Sequence, residues 1–235
     1  LLYGLGGAGK TQIALKFIEK SASKFSNSFM VDTSTTETID TGLMNIALTK
    51  NSGATSQDGL KWLASKPDNW LLFFDNADNP KINLNMFVPQ CKHGNILITS
   101  RNPGLRVYTG AYSEVSDMEE ADAVELLLKS ASEEKTDSNK EIATRIVKVL
   151  YYLPLAIIQA GAFISKSGAL GSYLQLYAQN RAQLLSEQPA QSHDDYAWTV
   201  YTTWQISFDK LSKPAAMFLQ LCSFLHYEGI YEEMF

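Results

Sequence analysis

The segment LLYGLGGAGKTQIALKFI, residues 1–18, places four glycines directly before a lysine and a threonine. Glycine weakens helices and strands, so such a run is expected where the backbone needs a shape that other residues resist. The leading LLY is typical of the end of a buried strand. The segment after the glycines has apolar residues at helical spacing, and we expect these to lie on or near one face: Ile13, Leu15, Phe17 and Ile18.

The glycine run matches the pattern G-x-x-x-x-G-K-[ST] through Gly4, Gly9, Lys10 and Thr11. In a phosphate loop, glycines let successive backbone N–H groups turn toward phosphate oxygens, and the following helix adds the positive end of its dipole. We expect Lys10 to contact the β- and γ-phosphates and the Thr11 hydroxyl to bind Mg²⁺. The alternative is a glycine-rich turn that happens to precede Lys-Thr, but the flanking strand and helix favour the phosphate loop.

Up to about residue 115, strand-like and helix-like segments alternate. The strand-like segments are NSFMVDTS (27–34), NWLLFFDNADN (69–79) and GNILITSRN (94–102), with YSEV (112–115) as a candidate fifth strand. The helix-like segments are TETIDTGLMNIALTK (36–50) and GLKWLASK (59–66). This alternation predicts a parallel sheet with crossovers, and hence an open α/β domain of the P-loop NTPase type over residues 1–115.

Two side chains follow buried strands of this predicted sheet. In an open α/β sheet, ligands bind outside the carboxyl ends of the strands, where Asp75 and Arg101 fall. A carboxylate there can hold Mg²⁺ opposite Thr11, so we interpret Asp75 as a metal residue rather than a plain turn residue. Arg101 is predicted to touch the γ-phosphate; its alternative is a solvated loop arginine.

Asn76 bears on the rate of hydrolysis. Many phosphate-loop enzymes place an acid directly after the metal-binding aspartate to orient the attacking water, and an amide cannot accept that proton. Asp78 is an acid two positions further on. We therefore expect hydrolysis to be slow, or to need another chain.

From residue 116 onward, the pattern is helical. It runs through SDMEEADAVELLLKSA, NKEIATRIVKVLYYLPLAIIQAGAFI and GSYLQLYAQNRAQLLSE, with Pro154 where a helix should break or begin. We predict a helical domain over residues 116–187, a polar linker, and a further helical segment over residues 197–235.

Composition narrows the class of protein. The 235 residues are 45% hydrophobic and 19% charged, with a net charge of −5 and two distant cysteines. These values predict a folded intracellular chain without a disulfide scaffold, and we expect a cytoplasmic protein with neither nucleic acid nor membrane as a partner. The chain starts without methionine and stops in an apolar helical stretch, which is typical of a fragment.

Four motifs in order, GLGGAGKTQ, WLLFFDNADN, GNILITSRN and YLPLAIIQAG, resemble the NB-ARC family. This family comprises the nucleotide switches of plant disease-resistance proteins, apoptosome scaffolds and fungal immune-like receptors. The sequence is especially similar to the fungal members, in which tetratricopeptide repeats often follow. The resemblance covers nearly the whole chain.

The resemblance implies roles for individual residues. Gly4 to Thr11 would form the Walker A loop, Asp75 the Walker B aspartate and Arg101 the sensor arginine. Pro154 would pack on the adenine as part of a G-L-P-L motif, in which Tyr152 replaces the usual glycine. The helical domain over residues 116–187 would be ARC1-like, and residues 197–235 would begin a winged-helix domain. The cofactor-binding residues implied are Gly4, Gly6, Gly7, Ala8, Gly9, Lys10, Thr11, Gln12 and Pro154; the metal residues are Thr11 and Asp75, and the catalytic residues Asp75 and Arg101.

The sequence therefore predicts an ADP/ATP-dependent switch that uses Mg²⁺, hydrolyses ATP slowly and self-associates when activated. Effector and sensor domains of the same full-length chain are its expected partners, beside the adenine nucleotide. Two alternatives remain: a turnover ATPase or kinase of the P-loop class, and a degenerate scaffold that binds nothing. Asn76 weighs against the first and the intact phosphate loop against the second.

Overall fold

The computed structural model of the chain describes residues 1–187 and 195–224. The chain divides into two compact units, Leu1–Ser116 and Asp117–Phe235.

The first unit contains strands and helices in the alternation that the sequence predicts. Its strands are β1 (Leu2–Tyr3), β2 (Ser28–Asp32), β3 (Leu71–Asp75), β4 (Asn95–Ser100) and β5 (Ser113–Glu114). Its helices are α1 (Lys10–Lys20), α2 (Thr36–Thr49) and α3 (Ser56–Ser65). Between β3 and β4, and between β4 and β5, the helical structure consists of 3₁₀ turns alone, Leu84–Phe87 and Pro103–Tyr108.

The strands form one parallel sheet, as the sequence predicts, and their order in it is β2-β3-β4-β1-β5. Because all strands run the same way, their carboxyl ends meet at a single edge. In the register of the sheet, Asp32 pairs with Asp75, and Tyr3 pairs with Ser100. The loop after β1 therefore starts beside the end of β4, one strand away from Asp75.

The centre of the sheet is buried on both faces. All four apolar residues of β3 are buried, which explains their continuous apolar run in the sequence. On one face, Leu72 and Phe74 join the buried side chains of α2 and α3, with Ile39, Leu43 and Leu63 at the centre. Threonine capping boxes begin both helices, at Thr35 and Thr55.

Helix α1 differs from the sequence prediction. Three of the four residues expected on its apolar face, Ile13, Leu15 and Phe17, are exposed, and Ile18 is half-buried. The buried residue of the helix is Ala14, followed four residues later by Ile18 and then by the buried Ser21 just past its end. The buried side of α1 is thus a narrow stripe of mostly small side chains. The predicted apolar face was wrong because the spacing of apolar residues does not fix how the helix is rotated about its axis.

The second unit is helical throughout its described part. Its helices are α4 (Glu120–Ala131), α5 (Asp137–Val149), α6 (Pro154–Ser167), α7 (Tyr173–Glu187), α8 (Asp195–Phe208) and α9 (Lys213–Cys222). Its buried core has Leu127, Ile146 and Ile157 among its fully buried side chains. Helix α8 adds Ile206 to this core, and the Thr203 hydroxyl donates to the Gln159 side-chain oxygen on α6.

The predicted start of a winged-helix domain includes α8 and α9, but residues 225–235 lie outside the described part of the chain. The winged-helix assignment therefore stays a prediction. Among the described helices, none has both the length and the apolar character needed to cross a bilayer.

Candidate functional site

The glycine-rich loop begins where β1 ends. Gly4 donates its N–H to the Ser100 carbonyl, 3.2 Å away, which ties the loop to the end of β4. A Cβ on Gly4 would lie 2.2 Å from the Val115 carbonyl oxygen, and the Gly4 φ of +150° disfavours any other residue. The first glycine of the motif is therefore required by close contact between backbones.

The loop ends at Gly9, which lies at the N-cap of α1 with a φ of 91°. No side chain caps this helix end, and its first turn contains no acidic residue. The N-terminal N–H groups of a helix have no partner within the helix, and its dipole favours a negative charge there. The start of α1 thus has the electrostatics of an anion site without a carboxylate of its own to compete.

The Lys10 side chain folds back across the loop. Its Nζ donates to the carbonyl of Gly4 at 2.9 Å and to that of Leu5 at 2.8 Å. Desolvation lowers the pKa of Lys10, while Asp78 and Asp75 act in the opposite direction. The ammonium is therefore held inside the loop by neutral carbonyl groups that a phosphate can replace.

The predicted metal residues are in direct contact. The Thr11 hydroxyl donates to Asp75 Oδ1 at 2.8 Å, and the Thr99 hydroxyl donates to the same oxygen. One hydroxyl and one carboxylate are hard oxygen donors of the kind that Mg²⁺ prefers, and Mg²⁺ takes its remaining ligands from water and substrate phosphates. These residues fit a Mg²⁺ ion that arrives with a nucleotide.

Asn76, directly after Asp75, has a φ of 63°, in the left-handed region that asparagine tolerates better than most residues. Its N–H donates to the Thr99 hydroxyl at 2.9 Å, and its side-chain amide donates to the Ser34 hydroxyl at 3.1 Å. Ser34 in turn donates to Asp32 at the end of β2. The amide is thus held in a polar network at the carboxyl edge.

Arg101 lies against the phosphate loop. If Gly6 carried a Cβ, that atom would come within 2.9 Å of the Arg101 guanidinium carbon, so the guanidinium covers this glycine. The Arg101 Nε is 3.0 Å from Asp78 Oδ2, and the side chain is 67% exposed. The position agrees with an arginine that meets a phosphate bound in the loop.

Pro154 belongs to the second unit, where it begins α6. Tyr152, at the position where the G-L-P-L motif has glycine, has a φ of 54°, and Tyr151 before it has a φ of 53°. Glycine adopts this left-handed conformation at lower cost, which gives a physical reason for the usual residue. Tyr152 keeps its place through hydrogen bonds from its N–H to the Val147 carbonyl and from its hydroxyl to Glu120.

The structure thus gathers Gly6, Lys10, Thr11, Asp75 and Arg101 at one edge of the first unit. In the same loop, Ala8 is buried, and Gln12 is exposed on the first turn of α1. A separate cavity of about 920 Å³ follows the amino-terminal half of β4 and is lined by Leu1, Phe17, Leu97 and Tyr108, among others. None of the predicted site residues lines it, so the candidate site is the open edge rather than this cavity.

Sequence reasoning missed Thr99 and Asp78 as parts of the site. The contacts of both residues depend on how β3 and β4 pair, which brings together residues 22 to 24 positions apart. The sequence contains two signals for these residues. One is the polar Thr-Ser pair at the end of an apolar strand, and the other is a second acid shortly after Asp75.

No protein-family model matches the chain. A nucleotide-binding leucine-rich repeat (NLR)-like protein of Hyaloscypha variabilis is 28% identical to it over 267 aligned residues. That alignment covers 97% of this chain but 27% of the relative, so the chain spans only a minor part of the relative's length.

Solved structures with a similar fold include the Walker-type ATPase PABY2304 of Pyrococcus abyssi. Its TM-score is 0.53 at 12% identity, covering 79% of this chain and 68% of that one. The RuvB Holliday junction branch migration motor of Thermotoga maritima gives a TM-score of 0.45 at 14% identity, covering 94% and 66%. The parallel sheet, the glycine loop before α1 and the likeness to the Walker-type ATPase establish that this chain has the P-loop NTPase fold, with a helical region after it.

Proposed function

We propose that the chain is an ADP- and ATP-binding switch module of the NB-ARC type. The observation that carries the proposal is the contact set at the carboxyl edge: Lys10 inside the glycine loop, Thr11 bonded to Asp75, and Arg101 on Gly6. Each of these groups has the chemistry that a nucleoside polyphosphate with Mg²⁺ needs, and each lies beside the loop. The name of the NLR-like relative, which includes nucleotide binding, supports the same conclusion.

In this proposal, the β-phosphate replaces the Gly4 and Leu5 carbonyls as the partner of Lys10. Thr11 and Asp75 would hold Mg²⁺, which would supply positive charge to neutralise the phosphate oxygens. Arg101 contacts the γ-phosphate and so distinguishes ATP from ADP. Pro154, by the family resemblance, contacts the adenine.

As a switch, the chain would adopt one state with ADP and another, self-associating state with ATP. A nucleotide can shift such an equilibrium only by as much as its affinities for the two states differ. Effector and sensor domains elsewhere in a full-length protein would produce and receive the signal.

Slow hydrolysis is part of the proposal, because Asn76 stands where a water-orienting acid is expected. Its amide already donates to Ser34, and an amide has no carboxylate to accept a proton from water. A turnover ATPase or kinase of the same fold would need that function from another residue.

Two measurements test the switch against the turnover enzyme. The purified chain is denatured and the released nucleotide is identified; steady-state phosphate release is then measured with ATP and Mg²⁺. Co-purified ADP with far less than one turnover per second agrees with the switch. Many turnovers per second would show that the chain is a turnover enzyme, in which hydrolysis is the main activity rather than the step that ends the ATP-bound state.

A further inference from the structure

Asp78 makes three contacts with the end of β4. Its Oδ1 accepts the Arg101 backbone N–H at 2.6 Å and the Ser100 hydroxyl at 3.3 Å. Its Oδ2 is 3.0 Å from the Arg101 Nε. One carboxylate therefore holds both the backbone and the side chain of the arginine that covers Gly6.

The whole guanidinium, rather than its outer end alone, lies beside the loop: its Nε is 3.1 Å from the place that a Cβ on Gly6 would occupy. Arg101 Nη1 lies 3.1 Å from the place that a Cβ on Gly6 would occupy. Within residues 1–187 and 195–224, neither Nη group has a hydrogen-bond partner. The planar fork is thus fixed at Nε and has donors ready at its tip.

An exposed ion pair of this kind adds little to the stability of a fold. The Arg101 side chain is 67% exposed and that of Asp78 26%. The pair is therefore better explained by orientation than by stability. A long, exposed arginine has many rotamers, and a partner that selects one of them lowers the entropy lost when a ligand binds.

We propose that Asp78 is the positioning residue for Arg101: by holding Nε, it aims the Nη groups at the terminal phosphate of a nucleoside triphosphate in the loop. The inference rests on the proposed nucleotide site and adds to it the residue that sets the preference for triphosphate over diphosphate. Asp78 itself touches no phosphate.

The direction in which the ratio of ATP affinity to ADP affinity changes distinguishes a positioning role of Asp78 from a simple effect of its charge. Asp78→Asn keeps an oxygen for the Arg101 N–H but loses the charged partner of Nε. Loss of positioning lowers the ratio of ATP affinity to ADP affinity, by about tenfold for one charge-assisted hydrogen bond. Removal of a nearby negative charge alone would instead favour the more highly charged ATP and raise the ratio.

The test is a set of calorimetric titrations with ATP and with ADP, both in Mg²⁺. The variants are Asp78→Asn, Arg101→Lys, the double variant, and Asp40→Asn as a charge-matched control on the exposed side of α2. We expect each single site variant to lower the ATP/ADP affinity ratio about tenfold, the double variant to be no worse than Arg101→Lys, and the control to match the wild type.

An unchanged or raised ratio in Asp78→Asn overturns the positioning role, as does a further drop of about tenfold when Asp78→Asn is added to Arg101→Lys. Arg101→Lys keeps the positive charge but removes the whole guanidinium, Nε and both Nη groups, so an unchanged ratio in this variant overturns the proposal even if Asp78→Asn is poorly folded. If the wild type binds neither nucleotide, the proposed function itself is wrong, which is a distinct result.

Discussion

Asp75 accepts hydrogen bonds from two hydroxyls that come from different elements, Thr11 on α1 and Thr99 on β4. The carboxylate is therefore fixed in direction before any ligand arrives. Both hydroxyls donate to the same oxygen, Oδ1, and a hydroxyl that donates to a carboxylate can turn to offer its lone pairs to a cation. The residue-scale geometry agrees with a metal site that is assembled in advance.

The first prediction concerns Asp75→Ala. Loss of the carboxylate removes a Mg²⁺ ligand, so ADP affinity measured with Mg²⁺ should fall by at least about tenfold, while affinity measured with EDTA should change much less. Titration calorimetry in the two buffers measures both values. Equal losses in the two buffers would argue against the metal role.

A second prediction concerns Asn76→Asp. Aspartate tolerates the left-handed φ of this position about as well as asparagine, so the backbone should be preserved. If the absent acid limits hydrolysis, phosphate release should rise, by about tenfold or more, toward the range typical of general-base catalysis. Asn79→Asp, which adds the same charge three residues later, is the control. No rise in Asn76→Asp would show that another step limits the rate.

At the scale of elements, β3 and β4 were predicted from the continuous apolar runs WLLFF and ILI, which are typical of strands buried on both faces. The apolar residues of β3 are all buried, whereas in β4 Ile96 is exposed and Leu97 is half-buried. The polar residues at the ends of these strands indicated the edge of the sheet that holds the site, because ligands bind outside the carboxyl ends of the strands in an open α/β sheet. The contacts of Asp78 and Thr99 were missed because they depend on strand register and loop path. The predicted apolar face of α1 was wrong because the helix buries Ala14, whereas Ile13 and Phe17 are exposed.

Helices α4 and α6 show a second close approach. A Cβ on Gly161 would lie 2.4 Å from the Ser130 Cβ and 3.0 Å from the Ser130 carbonyl carbon. Helix propensity alone favours alanine over glycine by about 1 kcal/mol, but a clash with backbone forces the two helices apart. The packing of α4 against α6 therefore decides whether a Gly161→Ala substitution stabilises or destabilises the fold.

The third prediction is that Gly161→Ala lowers the free energy of unfolding by about 1–3 kcal/mol, measured by urea denaturation. Gly171→Ala is the matched control, since nothing lies within 4 Å of a Cβ at that position. The control should stay within about 0.5 kcal/mol of the wild type. A stabilised Gly161→Ala variant would mean that α4 and α6 are not in such close contact.

At the scale of the whole molecule, the chain has a P-loop NTPase unit and a helical unit, each with its own buried core. A switch needs a ligand whose affinity differs between two states of the molecule. The sequence resemblance assigns the adenine contact to Pro154, in the helical unit, and the structure places that proline at the first turn of α6, where proline is well tolerated.

The fourth prediction follows from that assignment. Pro154→Ala preserves the helix start but removes ring contacts, so affinity for both ADP and ATP should fall by a similar factor, about three- to tenfold. The control is Pro214→Ala, the same change in the first turn of α9. Nucleotide affinities that match the control in both titrations would remove Pro154 from the adenine site.

The central claim is that the Gly4 to Thr11 loop binds the phosphates of an adenine nucleotide, and titration of Mg²⁺-ADP into wild type, Lys10→Ala and Lys20→Ala tests it most directly. Lys20 lies at the exposed end of the same helix, so its removal changes the net charge equally without touching the loop. The account predicts that Lys10→Ala loses affinity by at least about tenfold while Lys20→Ala binds like the wild type. ADP affinity that is the same in all three proteins would contradict it.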